Sequence, residues 1–498
     1  MRSRQKILAA LLVGGVVPVA LSGEVGVPAQ FTHRPILTRI AEPGLDHGHF
    51  VFAGEAATPA PIAPNLGSAE YNPAAFGAPG SGSTLAVTNV SATPEYEGET
   101  GAASNGVTIV GAANHIFPGA CNANAAPGTS GDCAPNTCQT IPGGGIVQAA
   151  LPRDWNGTTF GIGFDPAVDY DKTGTYYASY GVAPLSGSYP NAIVVVKGDG
   201  ATWSKATPVT FNTSKNFDDK YYLAIDRSMS SFANRIYVAW DRNAANNQTL
   251  YVANSSDGGR TWSAPVKVND SKGRTERVIG AYPAVDHNTG TVYVSWHDYA
   301  RNRIYVDKSA DGGANWGTDV VATTTHTGFG KDIGCVGGRS QSPAHHLRVG
   351  PSGTLYLVYA DLVTNRGYDI LLTKSTNGGQ SWSTPVALNN DAGGAHQFHP
   401  TLAVESNGGG GDKVTVTFYD RREDTSNCLS QVYGTQSTDS GATWSSNVKL
   451  TATAFNFDGN PNGPGDYSSS AQYPAQVWPF FSGHPVGGVF DLYTATYP

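Results

Sequence analysis

An all-β fold built from a repeated short-strand unit is predicted for this chain, on three observations. Short runs rich in β-branched and aromatic residues recur at near-even spacing. One turn motif returns five times, and no segment carries the periodicity of an amphipathic helix. The recurring runs are 107–111, 175–180, 235–240, 291–296, 354–359, 414–419 and 475–481, each starting 56 to 68 residues after the one before. A four-stranded blade with its turns takes roughly 40–60 residues, so the spacing is that of a β-propeller. Seven runs predict seven blades. Six is the alternative, should the first and last units be halves of one closing blade. Continuous apolar character suits strands buried on both faces, and residues 84–88 offer a strand to close the ring.

The turn motif explains itself chemically. It reads Ser-Ser-Asp-Gly-Gly-Arg-Thr-Trp at 255–262 and returns at 309–316, 375–382 and 437–444, with a copy one residue shorter at 197–203. The Asp (Asn377 in one copy) can accept backbone N–H groups across a turn, a Gly supplies φ > 0, and the Trp carries apolar surface into the next layer. This pattern resembles the Asp-box, or BNR repeat, of the secreted bacterial sialidase-like β-propellers. The resemblance implies architecture over roughly residues 100–498, and it implies structural work for Asp257, Asp311 and Asp439.

Composition bounds the rest. Residues 1–22 read as a secretory signal peptide, with Arg2, Arg4 and Lys6 before an apolar run and small residues at its end. Residues 23–83 are Pro/Ala/Gly-rich and read as a linker, leaving 84–498 for the propeller. The expected product is a secreted monomer with no membrane anchor in the mature chain. A net charge of -8 argues against a nucleic-acid partner. The five cysteines of an exported chain suggest two disulfides and one thiol. One bridge is expected among Cys121, Cys133 and Cys138, and another between Cys335 and Cys428, pinning two loops of one face.

Propeller strands run up and down in turn, so loops sort onto two faces. The box turns join third to fourth strands below; loops after second strands and before first strands gather above, where ligands bind. Charged residues are only 14% of the chain, yet this upper set is strongly polar. The candidate catalytic residues are Asp218, Asp219, Tyr221, Glu276, Asp298, Asp420 and Tyr467. The candidate substrate-binding residues are Arg153, Arg277, His297, Arg301, His345, His346, His399, Arg421 and Arg422. A glycosidase needs an acid for the leaving oxygen and a second group to meet positive charge at the anomeric carbon. Resemblance to sialidases implies a Tyr nucleophile with a Glu partner, an Asp acid/base, and three arginines on the substrate carboxylate. After Glu99 the only glutamates are Glu276, Glu405 and Glu423, so a Tyr/Glu pair would use Glu276 or Glu423. The family's Arg-Ile-Pro motif is absent; His33-Arg34-Pro35-Ile36 has another order.

The expected function is a secreted sialidase-like glycoside hydrolase acting on extracellular glycans, acidic ones included. A non-catalytic glycan- or protein-binding propeller is the alternative, and a polysaccharide lyase using His and Tyr the second. No cofactor is required. A Ca2+ loop is suggested by Asp458, Asn460 and Asn462, whose spacing is that of a calcium loop lacking its final Glu.

Overall fold

The computed structural model describes residues 72–73 and 87–497, apart from 92–95, 117–134, 141–143, 185–188, 215, 245–246, 271–275, 329–331, 337–340, 342, 459–462 and 486–490. The signal-peptide segment, nearly all of the linker, Cys121, Cys133, Asn460 and Asn462 lie outside the described residues. Among the described residues every regular element is a strand.

The strands group into antiparallel meanders in chain order. Their first strands are Tyr96–Ser104, Ile162–Tyr170, Asn216–Ile225, Val278–Val285, His345–Val349, Gln397–Ser406 and Ser469–Tyr473. Six meanders supply four consecutive strands each, two of them joined through a parallel pairing of Tyr221 with Ala281. The last meander has only three, and Thr88–Asn89 completes it by pairing antiparallel with Asp491–Thr494. Consecutive first strands touch, and Ser469–Tyr473 touches Tyr96–Ser104, so the seven form a closed ring.

The apolar runs of the sequence are the second strands. Tyr176–Ala183 and Val292–Asp298 are buried at every position, with Trp240 and Trp296 among the largest enclosed side chains. Burying such aromatic surface between sheets dominates the stabilisation.

Each complete box turn joins a third strand to a fourth with one hydrogen-bond pattern. At the first, Asp257 Oδ1 accepts from Arg260 N (3.0 Å) and Thr261 N (2.9 Å), and Oδ2 accepts from the Thr261 hydroxyl (2.6 Å). Gly259 N donates to Ser255 Oγ at 2.9 Å. Gly258 and Gly259 stand at φ 72° and 79°, where a side chain is strained. The same bonds recur around Asp311 and Asp439.

Cys335 and Cys428 form a disulfide, as expected from their places in two loops of one face. Cys138 is buried in the third strand of its meander, Asn136–Thr140, its thiol donating to Gly111 O on the second strand at 3.6 Å. No helix among the described residues is long and apolar enough to cross a membrane.

Candidate functional site

The inner ring carries a repeated defect at one level. Its pairing with the second strands slips between Gly98 and Gly101, between Phe164 and Ala167, between Asp219 and Tyr222, between Ile279 and Tyr282, and between Phe398 and Thr401. These are two-residue β-bulges. The first bulge residue lies in the left-handed region each time: Glu99 (φ 57°), Asp165 (55°), Lys220 (45°), Gly280 (75°) and His399 (48°). A non-glycine residue there costs about 1–3 kcal/mol, and bulges re-aim side chains. The strain at four places moves polar side chains out of the sheet register.

Three of those side chains meet. Lys220 Nζ lies 2.9 Å from Asp165 Oδ2, 2.9 Å from Asp466 Oδ2 and 3.8 Å from Glu99 Oε1. Asn114, on the neighbouring second strand, donates to Glu99 Oε2 (2.5 Å) and Asp165 Oδ1 (3.2 Å) and accepts from Asp165 N (2.5 Å). Gly465 makes the closure possible, since a Cβ there would stand 2.8 Å from Glu99 N. Glu99, Asp165 and Lys220 are all buried. Burial raises the Asp165 pKa, but Lys220 and the bond to Glu99 outweigh it and bring the carboxyl to about 2. Burial also opposes the Lys220 charge, yet Asp165, Asp466, Glu99 and Asp219 hold the ammonium well above its ordinary value.

Aromatic rings floor this cluster. Tyr467 lies 5.7 Å below the Lys220 ammonium and packs on Tyr222 at 5.3 Å; Tyr222 meets Tyr282 at 4.7 Å, and Tyr282 meets His346 at 4.8 Å. Beneath runs a cavity of about 390 Å³ along the ring axis, lined by residues such as Thr100, Ala167, Leu223, Arg348 and Leu402. Above is a recess of about 40 Å³ reached by Lys220, Gly280, His297, His345, Asp466 and Tyr467. Burial, with His345 as a smaller contributor, lowers His297 to about 3; burial against two backbone bonds lowers His345 to about 4. Both imidazoles are neutral at pH 7.

Of the residues expected to form the site, His297, His345 and Tyr467 are brought to the cluster. Asp219 adjoins it, its Oδ1 accepting from Lys220 N at 2.9 Å. His346 lies in the floor. The others are held elsewhere. Asp218 takes a bidentate pair from Arg242 (2.6 and 2.9 Å). Tyr221 is buried, its hydroxyl donating to Phe164 O at 2.8 Å. Asp298 and Glu276 share Arg301, at 2.5 and 2.9 Å, and Arg277 N donates to Asp298. Asp420 pairs with Arg422, which also reaches Asn390 and Asn447. Arg421 is fully buried and donates to the carbonyls of Ile333, Gly334, Cys335 and Asn427. Arg153 does the same with Phe160 and Gly161. His399 sits on its bulge against Phe398 and Tyr419. Asp458 N donates to Asn456 Oδ1 at 2.9 Å.

Sequence reasoning missed Glu99, Asp165 and Asn114, and did not single out Lys220 within its acidic run. One signal was there. Asp165-Pro166 and His399-Pro400 place a polar residue before proline inside a strand-like run, and proline within a sheet marks a bulge or an edge.

No family model matches the chain, and no curated protein matches it. Solved structures do. A protein of unknown function from Dyadobacter fermentans is 12% identical, with 83% of this chain and 98% of that one covered, at a TM-score of 0.46. The intramolecular trans-sialidase of Ruminococcus gnavus is 13% identical, with 83% and 97% covered, at 0.42. An ulvan lyase of polysaccharide lyase family 25 is 13% identical, with 85% and 94% covered, at 0.44.

Proposed function

We propose that this protein is a secreted, seven-bladed propeller of the Asp-box type that hydrolyses glycosidic bonds at the upper mouth of its ring. The observation that carries this reading is the convergence of Asp165, Asp466 and Glu99 on Lys220, at the level where the inner strands bulge. Buried acids on strained backbone cost stability, and such costs concentrate at functional sites. Hydrolysis needs two carboxyl groups: one donates a proton to the glycosidic oxygen as the C–O bond breaks, and the other faces the oxocarbenium-like carbon that water then attacks. Asp165, kept ionised beside Lys220, suits the second task. Asp466, the most exposed of the three acids, suits the first. A sialidase-type arginine trio has no support in this geometry, because Arg153, Arg301, Arg421 and Arg422 are already committed to carbonyls or carboxylates.

Product analysis on a glycan panel tests the reading, following reducing ends and the ultraviolet absorbance of unsaturated uronates. Hydrolysis predicts new reducing ends without absorbance, lost at least a hundredfold in Asp165→Asn and Asp466→Asn variants that keep the parent melting temperature within a few degrees. Absorbance would mean elimination, and silence on every glycan would leave a binding propeller. Sequencing the N-terminus of protein from the culture medium tests export, with cleavage expected after residue 22.

A further inference from the structure

Below the aromatic floor the first strands reach a level of small side chains. Two residues after the end of each bulge they present Ala103, Asp169, Ala224, Ala284 and Ala403. Arg348 stands at the same level, two residues after His346, which packs on Tyr282. All six line the axial cavity of about 390 Å³. Methyl groups do not reach the axis, so the ring is hollow here.

The charges on this wall do not balance. Its charged residues are Asp169, Arg227 and Arg348. Asp169 is fully used, with Oδ1 accepting from Arg227 Nη1 at 2.7 Å and Oδ2 from Ile225 N at 2.8 Å. At pH 7 the imidazoles of His287 and His346 on the same wall are neutral. Arg348 is half-buried and has no carboxylate partner among the described residues. It donates once, to Leu347 O at 3.2 Å, and its guanidinium carbon stands 5.1 Å from the centre of the Tyr282 ring, another part of the wall. The rest of its five N–H donors are left for a ligand.

These features restrict what the ligand is. A lone cation in a partly enclosed space favours an anion, and a planar fork matches a carboxylate through two parallel N–H···O bonds. The alanine methyls offer no second donor to a dianion, whereas they and the tyrosine faces suit an organic body. The volume lies within the ~300–1,000 Å³ of small-molecule sites, many times the ~30 Å³ of one water. Asn288 and Pro351, exposed in turns between first and second strands, line the lower end, so entry is from the face opposite the mouth. The acids around Lys220 stand on the other side of the tyrosine floor.

We infer that the axial cavity is a second ligand site, in which Arg348 binds the carboxylate of a small organic acid that enters from the lower face.

Calorimetry on the full chain tests this, with glucuronate, benzoate, glucose and inorganic phosphate as probes. At least one of the two carboxylates is expected to bind once per chain, at least tenfold tighter than glucose or phosphate, and severalfold weaker at high salt. Arg348→Gln should weaken that binding at least tenfold. Arg348→Lys, which keeps the charge and loses the fork, should weaken it severalfold, and it decides the matter if the Gln variant fails to fold. Carboxylate binding that both variants leave unchanged overturns the site, since the ligand would then lie elsewhere. Phosphate binding as tight as carboxylate binding overturns the assignment to an organic acid, and no binding of either carboxylate at millimolar concentration overturns the proposal outright. The result does not depend on hydrolysis at the mouth, because neither variant alters a residue around Lys220.

Discussion

Lys220 is where residue-scale physics bears hardest on this protein. It is the common counter-ion of Asp165, Asp466 and Glu99, and removing one partner of a buried ion cluster leaves uncompensated charge. Lys220→Met is expected to cost about 3–5 kcal/mol, read as a lower midpoint in urea unfolding; a change under about 1 kcal/mol would mean that water reaches the acids. The buried histidines give a separate pH signature. His297 and His345 have folded pKa values near 3 and 4, and His346 is lowered well below its ordinary value, each chiefly by burial. Below pH 6.5 the unfolded chain binds protons that the folded chain does not. Their stabilisation is therefore complete above 6.5 and is lost as pH falls towards 4, by up to ~1.4 kcal/mol per pH unit for each ring. Asp165 works in the same sense at lower pH. Its folded pKa is depressed from 3.8 to about 2, so its contribution is present above 3.8 and disappears only between those values. Melting temperature should accordingly begin to fall between pH 6.5 and 5, less steeply than the three rings alone would give, because burial raises Asp319 and Asp307 to about 7 and 6 and their protonation in the folded state acts in the other direction. A flat profile down to pH 4.5 would show that the imidazoles are not buried in solution.

At the scale of elements, legibility divides the first strand of each meander from the second. Second strands such as Ile236–Ala244 announce themselves, because residues 236–240 are buried and nearly continuous in Ile, Val, Tyr and Trp. First strands carry the candidate site and read poorly. Gly98-Glu99-Thr100-Gly101 looks like a loop in sequence, yet it lies within the strand Tyr96–Ser104. Whether a polar residue there leaves its sheet face depends on a register slip against the neighbouring strand, which spacing alone does not encode. The polar mouth divides similarly. Asp420 with Arg422, and Asp298 with Arg301, stand close enough in sequence to suggest the ion pairs they form, whereas Asp165, Lys220 and Asp466 come together from three separate meanders. The box turns were readable because their chemistry is local. Asp439→Ala removes four acceptor contacts within one turn, and should cost about 1–2 kcal/mol while leaving the kinetics of the distant mouth unchanged. A drop in kcat at unchanged substrate affinity would tie the lower turns to the site. The disulfide-linked segment makes the opposite prediction. Cys335–Cys428 spans 93 residues, and the carbonyls beside it clasp Arg421. Cys335→Ser with Cys428→Ser should cost about 2–5 kcal/mol and change substrate affinity as well, because both ends lead into loops of the upper face.

At the scale of the whole molecule, stability depends on a ring whose ends are far apart in sequence. Thr88–Asn89 pairs with Asp491–Thr494. Asn89 Nδ2 donates to Asp491 Oδ2 at 2.6 Å, Ser91 Oγ donates to Asp491 Oδ1 at 3.2 Å, and Val90 N donates to Leu492 O at 2.9 Å. Without those residues the last meander exposes an unpaired edge, and Val90, buried against Ile109, Phe480 and Leu492, leaves the core. Such an edge invites pairing with another chain. The contacts that join residues 88–91 to 491–494 also form last in any folding route that starts locally, because their loop is almost the whole domain. A chain beginning at residue 84 should therefore melt with the full-length protein in one transition. A chain beginning at residue 96 should melt at least several degrees lower and associate in a concentration-dependent way, seen by light scattering. If the shorter chain instead stays monomeric with the same melting temperature, the ring holds without its closing strand, and the contact of the Ser469–Tyr473 strand with Tyr96–Ser104 suffices to close it.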